Sequence, residues 1–129
     1  MREGDRMSIL IVDDNLINLK LIRTVLSLEG YSVISAINAE EAIHVLNTYR
    51  PALILMDIQL PGMDGLELTK RIKANPDLKD ILIVAVTAYA MKGDEEKVRA
   101  AGCDGYITKP INTRTLPSMV AALLSQVGD

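Results

Sequence analysis

Five short apolar runs, SILIV (8–12), YSVISA (31–36), residues 52–57, ILIVAVT (81–87) and GYIT (105–108), alternate along the chain with segments of helical period. This alternation is the signature of a parallel sheet covered by helices on both faces, because parallel neighbours need a long crossover and a helix supplies it. Residues 53–56 are apolar at every position, as a strand buried on both faces must be. A chain of 129 residues can bury a real core in one domain, so folding needs neither a disulfide framework nor a metal staple. The expected layout is a flexible polar tail over 1–7 and one domain over 8–127, with no linker, repeat or low-complexity segment.

The helices are bounded by their punctuation. The first, LINLKLIRTVLSLEG, sets polar Asn18, Lys20, Arg23, Thr24 and Ser27 between apolar positions and stops at Gly30. The second carries Glu40, Glu41, His44, Asn47 and Thr48 on one side and Ala42, Val45 and Leu46 mostly on the other. Asp64 and Glu67 read as an N-cap and capping partner for a third helix that Pro76 ends. The fourth, within MKGDEEKVRAAG, has Met91, Val98 and small alanines to bury, and Gly93 weakens it, so it should be the least anchored. The last carries an apolar stripe of Leu116, Met119, Val120, Leu123 and Leu124. Pro117 suits its first turn if Thr115 caps it, and does not suit a helix that begins at Asn112.

Charge and cysteine narrow the function classes. Fourteen Lys+Arg stand against 17 Asp+Glu, for a net charge of −3, with no basic block to carry a phosphate backbone; nucleic acid is not an expected partner. A single Cys excludes an internal disulfide, no apolar run reaches membrane-spanning length and no signal-peptide pattern opens the chain. The cytoplasm is the expected location and no membrane partner is expected.

The third apolar run ends on an acid, Asp57, before a turn at Pro61-Gly62. A carboxylate beside a packed sheet loses hydration and needs compensation. In a doubly wound sheet ligands bind beyond the carboxyl ends of the strands, and Asp13-Asp14, Asp57, Thr87 and Lys109-Pro110 all fall there. Carboxylates about 4 Å apart at an effective dielectric near 20 repel by roughly 4 kcal/mol, so a cation must relieve the cluster. An all-oxygen donor set suits Mg²⁺ better than zinc. With Mg²⁺ and the Lys109 ammonium in place, Asp57 can act as a nucleophile toward phosphorus, giving an aspartyl phosphate.

The paired acids after LILIV, the segments MDIQLPGMDG, VTAYA and YITKPI, and their order and spacing resemble the receiver domains of two-component response regulators, the CheY-like domains. The resemblance covers residue 8 to about residue 127, so 8–127 reads as a receiver domain. It implies a doubly wound (βα)5 fold of the flavodoxin/CheY-like type, with a parallel five-stranded sheet of order 2-1-3-4-5. It implies that Asp57 is the phosphoacceptor and that Asp14, Asp57 and the backbone carbonyl of Gln59 ligate Mg²⁺, with Asp13 acting directly or through water. It also implies that Lys109 pairs with the phosphoryl oxygens across a cis bond to Pro110, that Thr87 and the amide of Ala88 bind the phosphoryl group, and that Tyr106 turns inward when Thr87 moves. Gln59 and Tyr89 would tune the attacking water. The implied partners are a histidine kinase or histidine phosphotransfer protein as donor, and a downstream protein on the face of the fourth helix, fifth strand and last helix. The run VTAYAMKGDEEKVRAAGCDGYITKPI is similar to the DivK-type single-domain regulators, and receivers of hybrid histidine kinases carry similar runs.

Other readings compete residue by residue. Taken alone, Asp13 and Asp14 read equally as caps of the first helix, Thr87 as a strand-end hydroxyl bonded to backbone, Lys109 as a solvated charge and Tyr106 as half-buried packing. His44 lies on a polar face and Cys103 reads as a small buried filler. An aspartate-nucleophile phosphatase usually has a second acid two residues after the nucleophile, where Gln59 stands, and a flavodoxin-like nucleotide binder wants a glycine- or serine-rich loop where DDNLIN stands. The protein is therefore expected to be a switch and not a turnover enzyme.

Overall fold

The computed structural model describes residues 8–60, 62–88 and 92–127. The elements alternate as β1 (Ser8–Val12), α1 (Leu16–Leu28), β2 (Ser32–Ala36), α2 (Ala39–Thr48), β3 (Leu53–Asp57), α3 (Gly65–Ala74), β4 (Leu82–Thr87), α4 (Lys92–Ala100), β5 (Gly105–Thr108) and α5 (Leu116–Val127). The five strands form one sheet of order β2-β1-β3-β4-β5, and every neighbouring pair is parallel. The strand order reverses between β1 and β3, which is where such sheets open a crevice.

The period of two along each strand divides the core into halves. Leu10, Val12, Ile54, Met56, Ile83 and Ala85 face α2, α3 and α4, which contribute Ala42, Leu46, Leu68, Ile72 and Val98. Ile9, Ile11, Leu53, Leu55, Val84 and Val86 face α1 and α5, which contribute Leu19, Ile22, Leu26, Leu116 and Val120. Burying each large aliphatic side chain is worth about 1.5–3 kcal/mol, so the doubly covered strands β1, β3 and β4 form the rigid centre. Among the described residues no helix is long and apolar enough to cross a membrane.

The expected boundaries shift by one residue at β2, β3 and β4. The Tyr31 amide is taken by the Leu26 carbonyl at the end of α1, and the Ile81 amide by the Leu78 carbonyl, so the preceding turns hold both residues out of the sheet. The Asp64 side chain caps α3 by accepting from the Glu67 amide at 2.8 Å, while the Glu67 carboxylate lies 3.4 Å from Arg71 Nε. Residues 113–115 form a turn and α5 begins only at Leu116. Asn112 Oδ1 accepts from the Arg114 amide and the Thr115 carbonyl from the Met119 amide, while the Thr115 hydroxyl donates back to the Asn112 carbonyl at 3.3 Å and caps no helix amide. Pro117 thus sits in the first turn, where a missing N–H leaves no intrahelical bond unmade. The tail 1–7, Pro61, Tyr89 and Met91 lie outside the described residues.

Candidate functional site

Strand register brings the reactive side chains to one rim. Val12 is level with Met56, Asp57 with Val86 and Thr87 with Thr108, so Asp13, Asp57, Thr87 and Lys109 all arrive at the carboxyl ends of neighbouring strands. Backbone bonds carry the ladder past the strands themselves: the Asp13 amide donates to Ala36 O at 3.0 Å, Ile58 to Val86 O at 3.1 Å and Lys109 to Thr87 O at 2.7 Å. The peptide bond between Lys109 and Pro110 is cis.

Asp57 is 2 % exposed and both of its oxygens are held. Oδ1 accepts from the Gln59 amide at 2.9 Å, and Oδ2 faces Lys109 Nζ at 3.1 Å. The same ammonium lies 3.7 Å from Asp13 Oδ2. Asp13 is equally buried; its Oδ1 accepts from the Asn15 amide at 2.8 Å and its Oδ2 from Asn18 Nδ2 at 3.4 Å. Exposed Asp14 completes the group, and the three carboxylates bring ligand oxygens within 4.8 Å of one another, a spacing that could hold a metal ion. Three acids around one ammonium leave a negative surplus, and a hard cation answers an all-oxygen donor set. Thr87 is fully buried, Ala88 after it is exposed, and Tyr106 is half-buried against the core on the α2–α4 side of the sheet. The rim thus gathers Asp13, Asp14, Asp57, Thr87 and Lys109; Gln59 joins it through its amide, and Tyr106 stands one strand away on β5. His44 is exposed on α2 and Cys103 is buried, as the patterning predicted.

Two asparagines and a glycine do work that the residue pattern alone did not assign. Asn15 caps α1, accepting from the Ile17 and Asn18 amides at 2.9 and 3.1 Å, which frees Asp13 and Asp14 from that duty. An Asn immediately before an apolar-periodic segment was the available signal. Asn18, one turn further on, reaches back to Asp13. Gly65 starts α3 against the end of β3: a Cβ there would lie 2.3 Å from the Asp57 carbonyl oxygen and 2.7 Å from Ile58 Cα.

Burial pushes the Asp13 carboxyl above its ordinary 3.8, helped by the nearby Asp57 charge and opposed by the Asn15 amide and Lys109. An acid whose folded pKa is raised binds its proton more tightly folded than unfolded, so its contribution to stability falls as pH rises from 3.8 through the raised value. In divalent-free buffer Asp13→Asn, which keeps the acceptor for the Asn15 amide and removes the charge, is expected to melt higher than the wild type at pH 7. The gap should close as the pH falls below that window; a thermal melt series across pH checks this, and a lower Tm for the variant at pH 7 contradicts it.

Comparison with known proteins shows the family of the chain. Residues 9–121 match the family described as response regulator receiver domain. The polar-differentiation response regulator DivK of Brucella anthropi is 47% identical over 122 residues, spanning 95% of this chain and 97% of that protein. The DivK protein of Brucella ovis is 45% identical over the same shares. Among solved structures, the signal receiver domain of a signal transduction histidine kinase from Syntrophus aciditrophicus superposes with a TM-score of 0.86 at 35% identity, covering 93% of this chain and 91% of that one. A CheY-like response regulator receiver domain protein from Methanospirillum hungatei gives 0.83 at 35% identity, covering 92% and 94%.

Proposed function

The chain belongs to the response regulator receiver domain family, a two-component signalling family, and on that premise we propose that Asp57 is its phosphoacceptor. The carrying observation is the buried Asp57 carboxylate held between the Gln59 amide and the Lys109 ammonium, with Asp13 and Asp14 beside it. Asp14, Asp57 and the Gln59 carbonyl would hold Mg²⁺, with Asp13 acting directly or through water. Bound there, Mg²⁺ supplies positive charge against the oxygens of the transferring group. An Asp57 oxygen attacks phosphorus as the bond from phosphorus to the donor histidine nitrogen breaks, and that nitrogen leaves with the electron pair. Lys109 neutralises charge on the phosphoryl oxygens, and Thr87 with the Ala88 amide receives one of them. The donor is a histidine kinase or a histidine phosphotransfer protein, and the protein is a cytoplasmic switch and not a turnover enzyme.

Output follows from where the new bonds pull. Reversing a 1:99 equilibrium takes about 5.5 kcal/mol of differential binding, and a charge-assisted hydrogen bond contributes roughly 1.5–3 kcal/mol. Two or three new contacts at Thr87, Ala88 and Lys109 therefore suffice, and they draw on the segment leading into α4. Tyr106 turns inward behind Thr87. The face of α4, β5 and α5 would present the signal to a downstream protein. A cleft of about 210 Å³ there, lined by Tyr106, Pro110, Ile111, Thr115, Leu116 and Met119, is smaller than the roughly 300–1,000 Å³ of small-molecule sites and suits partner side chains.

The similarity to the Brucella DivK proteins over nearly their full length supports a single-domain regulator of that type. The likeness to a histidine kinase receiver keeps the alternative of a receiver cut from a hybrid kinase, which the flanking coding sequence decides. The phosphoacceptor role is tested by incubation with acetyl phosphate and Mg²⁺. Intact mass should rise by one phosphoryl group, and an unchanged mass rejects the role. Mg²⁺ at a hundredfold excess over its Kd should stabilise the unphosphorylated protein by about 2.7 kcal/mol. Calorimetry reads this as a rise in Tm that EDTA reverses, and a Tm insensitive to Mg²⁺ removes the metal from the account.

A further inference from the structure

The end of the sheet opposite the phosphoacceptor holds a polar hub that the proposed switch does not use. Lys73, in the last turn of α3, spends all three ammonium protons: on Ile81 O at 2.8 Å, Lys79 O at 3.2 Å and Asp104 Oδ2 at 2.9 Å. The same Asp104 oxygen accepts from the Ile83 amide at 2.9 Å, and the Asp104 amide donates to Ile83 O at 2.7 Å. One lysine therefore ties α3, the turn before β4, β4 itself and the connection from α4 to β5. Gly102, at φ +105, lies so close to the lysine stem that a Cβ would meet Lys73 Cγ at 2.9 Å. Cys103 Sγ, 3.9 Å from Thr69 Oγ1, adds a second contact between that connection and α3.

Among the described residues this tie falls at the carboxyl end of α4. Val98 and Ala101, both near the carboxyl end of α4, are buried, and the described side chains of Glu95 to Lys97 are exposed. The opposite end of α4 follows Thr87 and Ala88 in the chain, where the phosphoryl group is read. A helix clamped at its far end and drawn at its near end turns about the clamp instead of sliding. We propose that Lys73 and Asp104 form a fixed pivot for α4, which converts the pull at Thr87 and Ala88 into rotation of α4 about residues 101–104. Lys73 is then a positioning residue for the output face. The rotation rests on the phosphoacceptor reading, while the clamp stands without it.

Hydrogen exchange of the unmodified protein, read by mass spectrometry, tests the clamp. Lys73→Met should speed exchange of the 101–104 amides at least tenfold while β1 and β3 keep their protection. Asp104→Asn, which preserves side-chain shape, should act on the same amides, and Arg71→Met, on the same helix but half-exposed, should not. Unchanged exchange at 101–104 in both hub variants overturns the pivot. Beryllofluoride with Mg²⁺ tests the rotation by NMR: wild-type shifts should change from 87 through 98 and stop before 101, and in Lys73→Met they should extend through 104. Wild-type changes running through 101–104 overturn the proposal. If beryllofluoride perturbs no residue, the phosphoacceptor reading fails and the rotation with it, and the exchange results alone decide the clamp.

Discussion

Asp57→Asn is expected to lose phosphoryl transfer from acetyl phosphate or a phosphohistidine donor by about 10⁴-fold or more, because the variant has the shape of the acceptor without its nucleophilic oxygen. The amide can still accept from the Gln59 N–H, and β3 ends as before, so the loss should come without unfolding. It should also weaken the Mg²⁺-dependent rise in Tm, since one of three clustered carboxylates is gone. Time-resolved phosphate incorporation paired with a thermal melt separates these effects. Transfer retained within tenfold of wild type would place the nucleophile elsewhere.

Gly65→Ala should give the largest loss of stability from a single methyl group. The added Cβ would meet the Asp57 carbonyl oxygen at 2.3 Å and Ile58 Cα at 2.7 Å, and both are backbone atoms that cannot swing aside. The start of α3 or the end of β3 has to move, and the Gly65 amide bond to Ile58 O at 3.1 Å strains with it. A cost of about 3 kcal/mol is expected, or roughly 10 °C in Tm for a chain of this size. The end of β3 carries Asp57, so phosphorylation should slow as well. Denaturant unfolding checks the first effect, and a loss under about 0.5 kcal/mol would mean that the contact relaxes freely. Gly62 makes the contrast: its φ is +80 and nothing lies within 4 Å of a Cβ there, so its role is conformational.

The order of elements was legible because each strand is a dense apolar run and each helix has its own periodicity and punctuation. The acid at the end of β3 was legible for the same reason, since Asp57 interrupts a segment whose every other residue is buried. Lys109 is different. A lysine before a proline reads alone as a solvated charge; the rule that ligands bind at the strands' carboxyl ends put it on the rim, and the strand order brings its Nζ to 3.1 Å from Asp57 Oδ2. The Lys73 hub was illegible, since its partner Asp104 lies 31 positions away and both residues look like ordinary surface charge in a line of text. The need for glycine at 65 was hidden for a related reason, being set by a backbone contact and not by a turn. Helix caps fell between these cases: Asp64 was readable from its own neighbourhood, while the adjacent acids of the same rim masked Asn15.

The most direct test of the central claim is to locate the phosphoryl group and its metal requirement together. The protein is incubated with acetyl phosphate in Mg²⁺ or in EDTA, trapped by borohydride reduction and fragmented. Reduction at residue 57 alone, dependent on Mg²⁺, is the predicted result. Modification at Asp13, Asp14 or Asp64, or modification at residue 57 that proceeds equally in EDTA, would contradict the account.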